Sequence, residues 1–532
     1  MANGVKKSIA AFISEGTTIA DTTSSDINLG TSGTNIAYYV KNKDTSLGTS
    51  ADLGKVTGYG IGVYLTGTSS TDKAVLAATA PEFNFKKGGA TGDGIIGLYV
   101  KGDTDISAYT KTITVGDRKG TETSPINATG VYVEAQGTSS TPYTIKAKIK
   151  SGKNSVGIFS NPGVNKSYVK YLGTQMDLGE GATGFFVNGK TELDTAAATT
   201  TINLAGGVVA YVTESSEFVA GKTTVNLSKS AIGVYGERGA QVDVGSWTFN
   251  NNGNAAEEVR LKEGQAKVTT NKNLKPKMVL THVINGETYL AANKTVTSVH
   301  DGKYKSEENI GLMAQGLKNP TTPPGVTAWY DANFEIVNSG TINFTLAKDS
   351  TAIFAESARA KNNGVIKLGQ SSTGIYGVYK DNTSKYATGK PNKLEIETTA
   401  NSKISLGNSS TGMYLINASK ISNLGGQITS DKGATKNVGI YAINGQDSVA
   451  ANNKTLTMTT ATNITLGNGS VGLYSKGQSS TVRNTVTNTG NITVGDKITG
   501  SPAVAIYAEN TNLKTNSTVR VGKNGIAFFG KN

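Results

Sequence analysis

The chain has 532 residues, of which 36% are hydrophobic and 65 are glycine, and it contains no cysteine. The lack of cysteine excludes disulfides, thiol catalysis and cysteine-ligated metal sites. The formal net charge is +13, but the lysines are spread along the whole chain among carboxylates. This pattern disfavours nucleic-acid binding and favours attraction to acidic cell surfaces, such as sialylated glycans or lipopolysaccharide.

The first predicted element is a short amphipathic helix near the N-terminus. Four apolar residues between Val5 and Ile13 fall at helical spacing, with Asn3 available as N-cap and Gly16 as a stop. We therefore predict that residues 1–29 form an N-terminal cap region, in which this helix covers the otherwise exposed edge of the first strand.

A phrase of glycine, an apolar residue and then Tyr or Phe recurs over residues 30–235 and again over 329–532. The clearest copies are Gly62-Val63-Tyr64, Gly97-Leu98-Tyr99, Gly130-Val131-Tyr132, Gly157-Ile158-Phe159, Gly184-Phe185-Phe186, Gly233-Val234-Tyr235, Gly374-Ile375-Tyr376, Gly412-Met413-Tyr414, Gly439-Ile440-Tyr441 and Gly472-Leu473-Tyr474. Weaker copies are Ala37-Tyr38, Ala210-Tyr211, Ala352-Ile353-Phe354, Ala505-Ile506-Tyr507 and Ala527-Phe528-Phe529. The aromatic residues are 22 to 38 positions apart, which is typical of stacked structural repeats.

A second phrase, Ile-x-Leu-Gly, precedes the first at a constant distance. Its glycine lies seven residues before the aromatic residue, as in Gly369 to Tyr376 and Gly407 to Tyr414. The alternation within each phrase has the period of a strand with one buried face. We therefore predict an all-β chain, a parallel β-helix. In each Gly-x-aromatic phrase, we expect the middle apolar residue to point inward and the aromatic residue to point outward, with the aromatic rings stacked ~4.8 Å apart. The alternative places the tyrosines inside.

The repeat is interrupted over residues 236–328, which we predict to be an irregular insertion subdomain, with the β-helix continuing over 329–532. A large insertion in a solenoid commonly carries binding. Its aromatic residues are of the types that stack on sugars or anchor protein interfaces. The candidate binding residues are Trp247, Tyr289, Tyr304 and Trp329. The alternative is an insertion that only packs on the coils.

Two phosphate-binding patterns occur, and both are coincidental. Gly184–Thr191 matches G-x-x-x-x-G-K-T and Gly92–Gly97 matches G-x-G-x-x-G. The first contains a copy of the repeat, and the last glycine of the second begins one. The repeat predicts strand at a position where a phosphate loop would open a helix.

Other candidate reactive groups are few. The two histidines, His282 and His300, are 18 residues apart, which is not a zinc spacing, and we expect both at the surface. The adjacent pairs Glu257-Glu258 and Glu307-Glu308 are expected to be solvated. The sequence thus predicts no catalytic residue, no metal site and no cofactor.

The Gly-Ile-Tyr phrases, together with Ile-Thr-Leu-Gly-Asn-Gly-Ser at 464–470 and Asn-Thr-Gly-Asn-Ile-Thr-Val-Gly-Asp at 488–496, resemble the passenger repeats of the large fusobacterial type V autotransporter adhesins. The resemblance covers roughly 30–235 and 329–532. It implies a right-handed β-helix displayed on the bacterial outer membrane. It also implies roles in virulence, coaggregation and adhesion to host cells, through glycans or receptor proteins, including immune receptors.

We expect the chain to be a piece of a longer exported protein. Its start lacks the apolar core of a signal peptide, and no apolar run approaches the ~20 residues that span a bilayer. Membrane attachment would then depend on a C-terminal translocator barrel outside this sequence. The expected function is that of a non-enzymatic adhesin. The alternatives are a β-helical polysaccharide-degrading enzyme, with three or more carboxylates converging on neighbouring coils, and a purely structural shaft.

Overall fold

The computed structural model is all-β, and its strands are stacked in parallel sheets. It describes residues 9–14, 18–19, 27–29, 35–41, 46–47, 56–57, 60–69, 71–80, 82–85, 95–118, 128–161, 166–195, 199–213, 215–237, 239–300, 305–316, 335–380, 394–418, 420–445 and 455–532. No helix occurs among these residues. The chain forms two compact units, Met1–Ala256 and Glu257–Asn532.

In the first unit, each full coil contributes one strand to each of three parallel sheets, which we call the aromatic, second and third sheets. The aromatic sheet consists of Ile9–Ser14, Asn35–Lys41, Gly60–Gly67, Ile95–Gly102, Thr129–Val133, Val156–Ser160, Ala182–Val187, Gly207–Val212 and Ala231–Gly236. The second sheet consists of Tyr143–Ile145, Ser167–Tyr171, Thr191–Asp194, Glu217–Val219 and Gln241–Val244. The third sheet consists of Phe83–Asn84, Thr112–Val115, Lys148–Ser151, Gln175–Leu178, Thr200–Leu204, Thr223–Leu227 and Thr248–Asn250. Three further parallel pairs join Thr18–Ile19 to Ser46–Leu47, Ile27–Asn28 to Val56–Thr57, and Ala74–Val75 to Thr104–Asp105.

The second unit repeats this plan. Its aromatic sheet contains Ala256–Lys262, which begins at the boundary, and then Met278–Ile284, Ile310–Gln315, Thr351–Glu356, Thr373–Val378, Thr411–Ile416, Val438–Ile443, Val471–Lys476, Val504–Glu509 and Ile526–Lys531. Its second sheet contains Gln265–Val268, Glu287–Leu290, Glu335–Asn338, Arg359–Asn362, Glu395–Thr398, Lys420–Leu424, Thr457–Thr460, Asn484–Asn488 and Thr511–Thr515. Its third sheet contains Lys272–Leu274, Thr295–Ser298, Thr341–Phe344, Val365–Leu368, Lys403–Leu406, Gln427–Ser430, Asn463–Leu466, Ile492–Val494 and Val519–Val521. The predicted parallel β-helix is confirmed.

The core of each unit is made of equivalent residues stacked from coil to coil. In the second unit, five isoleucines of the third sheet lie in one column and are at most 1% exposed. They are Ile366, Ile404, Ile428, Ile464 and Ile492. The middle residue of the Gly-x-aromatic phrase is likewise buried, as in Ile440 at 0% exposed. The inward placement of this residue, predicted from the sequence, is confirmed.

A column of buried serine and asparagine side chains stabilises the turns before the aromatic sheet of the second unit. In each step, a backbone N–H donates to the side-chain oxygen one coil further on, because these turn amides have no strand partner. The column runs from Met278 N–H to Asn309, then to Ser350, Ser372, Ser410, Asn437 and Ser470. Its hydrogen-bond lengths are 3.0, 3.0, 3.2, 3.1, 2.9 and 3.0 Å.

The prediction of an irregular insertion over 236–328 is wrong for the described residues of that segment, 236–237, 239–300 and 305–316. Gln241–Val244 and Thr248–Asn250 pair with coils of the first unit. Glu287–Leu290 pairs in parallel on both sides within the second unit. The phrase is unrecognisable here because non-aromatic residues occupy the aromatic position. Met313 is in register with Phe354, and His282 is in register with Met313.

The predicted N-terminal helix is also wrong where the structure describes it, since Ile9–Ser14 is a strand paired with Asn35–Lys41. Phe12 stacks on Tyr39 with ring centroids 5.2 Å apart. Ala11 is in register with Tyr38 and Phe12 with Tyr39, so the aromatic position of this coil is Tyr39. Tyr38, which the sequence analysis placed there, is 4% exposed at the apolar position.

Close coil-to-coil packing makes the glycine of the phrase sensitive to substitution. A Cβ at Gly412 would lie 2.6 Å from the carbonyl oxygen of Gly439 and 2.9 Å from Ile428 Cγ2, whereas a Cβ at Gly530 would meet nothing within 4 Å. We expect Gly412→Val to lower the free energy of unfolding by about 1–3 kcal/mol through overpacking. Gly530→Val, also in the aromatic sheet, should leave it nearly unchanged. Urea unfolding followed by circular dichroism measures both, and equal effects would contradict the packing argument.

Candidate functional site

The most continuous surface feature of each unit is the column of aromatic rings on its aromatic sheet. Neighbouring rings are stacked with centroids 4.5–5.4 Å apart in both units. In the first unit the column is Phe12, Tyr39, Tyr64, Tyr99, Tyr132, Phe159, Phe186, Tyr211 and Tyr235. In the second unit it is Phe354, Tyr376, Tyr414, Tyr441, Tyr474, Tyr507 and Phe529. The predicted outward stacking is confirmed, although Tyr132 and Phe159 are only 3% exposed. Because ring faces cover one another, the other rings present mainly edges and hydroxyls.

Charged residues flank the aromatic columns. Lys101 contacts Glu134 at 3.0 Å beside Tyr99, and burial together with the Glu134 carboxylate raises the pKa of that tyrosine. At the last coils of the second unit, Lys476 lies 3.2 Å and Lys531 lies 3.7 Å from Glu509. Burial opposes the charge of Glu509, but these two ammonium groups together hold its pKa below the ordinary value. The charges balance at the Lys101–Glu134 pair, whereas the two lysines beside Glu509 leave one positive charge in excess.

The two histidines occupy different environments. His282, expected at the surface, is only 6% exposed. Its Nδ1 lies 3.1 Å from Glu257 and its Nε2 lies 2.7 Å from Gln315. The imidazole contacts the coils on both sides because His282 occupies the position on the aromatic sheet that Tyr or Phe holds in other coils. His300, whose side chain is 42% exposed as expected, contacts Glu307 at 2.5 Å.

Both glutamate pairs were predicted to be solvated, and this is wrong for one member of each pair, Glu258 and Glu307, whereas Glu308 is exposed. Glu258 is 1% exposed and forms an ion pair with Lys272, which is 2% exposed. Burial raises the pKa of Glu258, and the adjacent ammonium opposes that shift. Glu307 is also 1% exposed and accepts a hydrogen bond from the Lys348 N–H at 2.7 Å. Adjacent residues of a strand face opposite sides, so in the strand Ala256–Lys262 only Glu258 of the first pair turns inward. The second pair precedes the strand Ile310–Gln315, and there Glu307 is buried while Glu308 is exposed.

The first unit contains a groove of about 730 Å³ along the carboxyl ends of its third-sheet strands. The outward row of side chains along this sheet forms one wall. Thr114, Lys150, Asp177, Asn203 and Asn226 of this wall are in register across successive coils. Small residues of the following turns line the floor beside buried leucines. These small residues are Gly152, Gly179, Ala205 and Ser228.

A chain of hydrogen-bonded side chains, which we call the amide row, runs along the third sheet and consists of Asp177, Asn203, Asn226 and Asn250. Its first three members line the groove. Asn250 Nδ2 donates to Asn226 Oδ1 at 2.8 Å, and Asn226 Nδ2 donates to Asn203 Oδ1 at 2.8 Å. Asn203 Nδ2 then donates to Asp177 Oδ1 at 2.7 Å. All three donors point the same way, so the row ends on a carboxylate.

The second unit contains a carboxylate cluster on its second sheet. Glu335, Glu395 and Glu397 lie 3.5, 3.9 and 3.1 Å from the guanidinium of Arg359. Lys361 lies 3.3 Å from Glu397. The cluster has the convergence of three carboxylates that the enzyme alternative requires. However, two cations lie among the three anions, which is the arrangement of a surface ion-pair network.

Of the four predicted binding residues, the structure describes Trp247 in the first unit and Tyr289 in the second. Trp247 is 5% exposed and packs against Phe218 and Phe249 at 5.4 Å in the core of the first unit, so its indole is not exposed for stacking on a sugar. Tyr289 is partly buried on the second sheet of the second unit. Its hydroxyl donates to Glu287 at 2.6 Å. Burial raises the pKa of Tyr289, and the Glu287 carboxylate raises it further. Tyr304 and Trp329 lie outside the described residues.

The groove was not predicted from the sequence. The sequence pattern that marks it is an asparagine recurring at the outward position of the third-sheet phrase, in Ile202-Asn203-Leu204, Val225-Asn226-Leu227 and Phe249-Asn250. Over the described ranges, no group of three or more histidine, aspartate and glutamate side chains is placed to bind a metal. Nor does any helix in those ranges have the length and apolar character to cross a membrane.

Raised tyrosine pKa values in the aromatic column predict a loss of stability at alkaline pH. Burial raises the pKa of Tyr441 and Tyr474 above the ordinary value of 10.0, so the folded state holds these protons more tightly than the unfolded state. Their contribution to stability is complete below that value and is lost as pH rises through the folded pKa. The double variant Tyr441→Phe/Tyr474→Phe should flatten the fall in the urea unfolding midpoint above pH 10. An unchanged slope would show that other groups cause the loss.

Comparison with known proteins adds no family. No protein-family model matches the chain, and no curated protein sequence matches it. The functional interpretation therefore depends on the surfaces described above, namely the aromatic columns, the groove with its amide row and the carboxylate cluster.

Proposed function

We propose that the chain is a segment of a non-enzymatic adhesin passenger, exposed on the outer membrane of a bacterium, which mediates attachment to host cells or to other bacteria. The proposal rests on the resemblance of its repeats to autotransporter adhesins and on one structural observation. That observation is the uniform stacking of coils, which presents the same kinds of side chain in long rows instead of converging them on one centre. Rows of this kind suit repeated contacts with an extended or multivalent surface.

The contact surface of the adhesin is proposed to lie on the coils themselves. The sequence had pointed to residues 236–328, but the described part of that segment is continuous with the β-helix. Trp247 is buried there. The groove of the first unit is a concave surface whose wall carries asparagine amides, so we propose it as the main contact region. The right-handed coil stays a prediction, supported by the general hand of parallel crossovers.

The enzyme alternative has one observation in its favour, the carboxylate cluster around Arg359. Polysaccharide hydrolysis needs one carboxyl group that carries a proton and a second that acts as a base or nucleophile. Each of these carboxylates is instead paired with Arg359, and Glu397 also pairs with Lys361, as in a surface ion-pair network. This favours a structural role for the cluster, and we therefore propose that the chain is not an enzyme.

Adhesion of beads coated with the whole chain tests the proposal. We expect saturable binding to epithelial cells or to partner bacteria at physiological salt, with inhibition by the soluble chain. Binding through specific contacts should persist at about 0.5 M salt, where the screening length falls below that at physiological salt.

Beads coated with an unrelated basic protein of equal net charge control for the +13 charge of the chain. Binding that equals this control and disappears at high salt would contradict specific adhesion. A chain that binds no cell at all would favour the structural-shaft alternative. New reducing ends in a polysaccharide substrate, abolished by Glu397→Gln, would favour the enzyme.

A further inference from the structure

We infer that the groove of the first unit binds an extended, uncharged polysaccharide, with about one sugar unit per coil. The inference deepens the proposed adhesive function and rests on it for a biological role. Its chemistry is argued from four properties of the groove, which are the hydrogen-bonding capacity of its wall, its spacing, its floor and its charge.

The amide row leaves donors and acceptors available to a ligand. Asn203 and Asn226 each use one N–H and one oxygen lone pair within the row. Each amide nitrogen has a second hydrogen and each amide oxygen a second lone pair, for which the described part of the chain supplies no partner. Paired donors and acceptors fixed by their neighbours match sugar hydroxyls, which also donate and accept. Because the row is already ordered, little side-chain entropy would be lost on binding.

The spacing of the row matches a carbohydrate polymer. Equivalent residues of neighbouring coils are ~4.8 Å apart in a parallel sheet. This is about the length of one hexose unit in an extended glycan, so successive sugars would meet equivalent contacts. The wall contributes Thr114, Lys150, Asp177, Asn203 and Asn226 to the groove, one residue per coil. These five positions predict a footprint of about five sugar units.

The floor is made of small residues of the turns, which leave room for a sugar ring. Leu178, Leu204 and Leu227 adjoin these residues and are buried, at 5%, 2% and 1% exposed. At Gly179 a Cβ would lie 2.5 Å from the backbone of Gly152, so a larger side chain cannot fill this part of the floor without moving a coil. The groove therefore stays open because the coils pack closely beneath it.

Charge and backbone pairing decide between ligand classes. The one cation and one anion of the wall, Lys150 and Asp177, cancel, which favours an uncharged glycan over a polyanion. The third-sheet strands at the groove, such as Gln175–Leu178 and Thr200–Leu204, are paired on both sides. A peptide therefore finds no free strand edge to extend.

Isothermal titration of the whole chain with uncharged oligosaccharides of hexose and N-acetylhexosamine, two to eight units long, tests the inference. We expect affinity to rise with length up to about five units and to be insensitive to salt between about 0.1 and 0.5 M. Asn203→Leu/Asn226→Leu should weaken binding about tenfold or more, because two amides are removed.

Two further variants make the result interpretable. Asn343→Leu is the matched control, since Asn343 holds the same position of the third-sheet phrase in the second unit, outside the groove. Ser228→Trp fills the exposed floor and leaves the amides in place, and it should also abolish binding. It serves as the test if the double variant does not fold.

The remaining outcomes distinguish a failure of the inference from a failure of the proposed function. Binding unaffected by both groove variants, or equally weakened by Asn343→Leu, would overturn it. Adhesion of the coated beads without binding of any oligosaccharide would overturn the groove as a glycan site, pointing to a peptide or other receptor and leaving the adhesive function intact. Oligosaccharide binding without adhesion to any cell would contradict the proposed function but support the groove.

Discussion

Parallel pairing of each strand with its counterpart in the next coil is the constraint on which the rest of the structure depends. Because pairing is in register, every side chain meets its own equivalent one coil away. The isoleucine column, the aromatic columns, the serine and asparagine column and the amide row are four consequences of this single rule. The rule also explains how a chain with only 36% hydrophobic residues builds a continuous core, since short apolar triplets suffice when they are stacked.

The fold could be predicted because the phrase recurs with a constant distance between its glycine and aromatic residues. The errors lie where the backbone forms a regular paired coil but the side chains differ from those of the phrase. His282 and Met313 fill the aromatic position, so the coils that contain them were interpreted as an insertion. Near the N-terminus, apolar residues at 9, 12 and 13 fit a helix as well as a strand, and only pairing with Asn35–Lys41 decides between them.

The candidate site was much less predictable than the fold. Trp247 was chosen by residue type, but its indole packs in the core. The groove depends on the turns that follow the third-sheet strands, where small residues such as Gly152 and Gly179 line it. Its asparagines are common in this sequence, and they form a row only because Asn203, Asn226 and Asn250 are in register. Concavity arises from the stacking of several coils, and no single phrase encodes it.

All the hydrogen bonds of the amide row run in one direction, so the two ends of the row differ. A symmetrical row of hydroxyls would have no such direction. Each asparagine donates toward the earlier coil, and the aligned amide dipoles end at Asp177. A linear glycan is also directional, because its reducing and non-reducing ends differ. A chain lying along the row would be held more tightly in one orientation than in the other. Anchored polymers would then all present the same terminus. A contact built from many such chains would therefore have a single direction across its whole area.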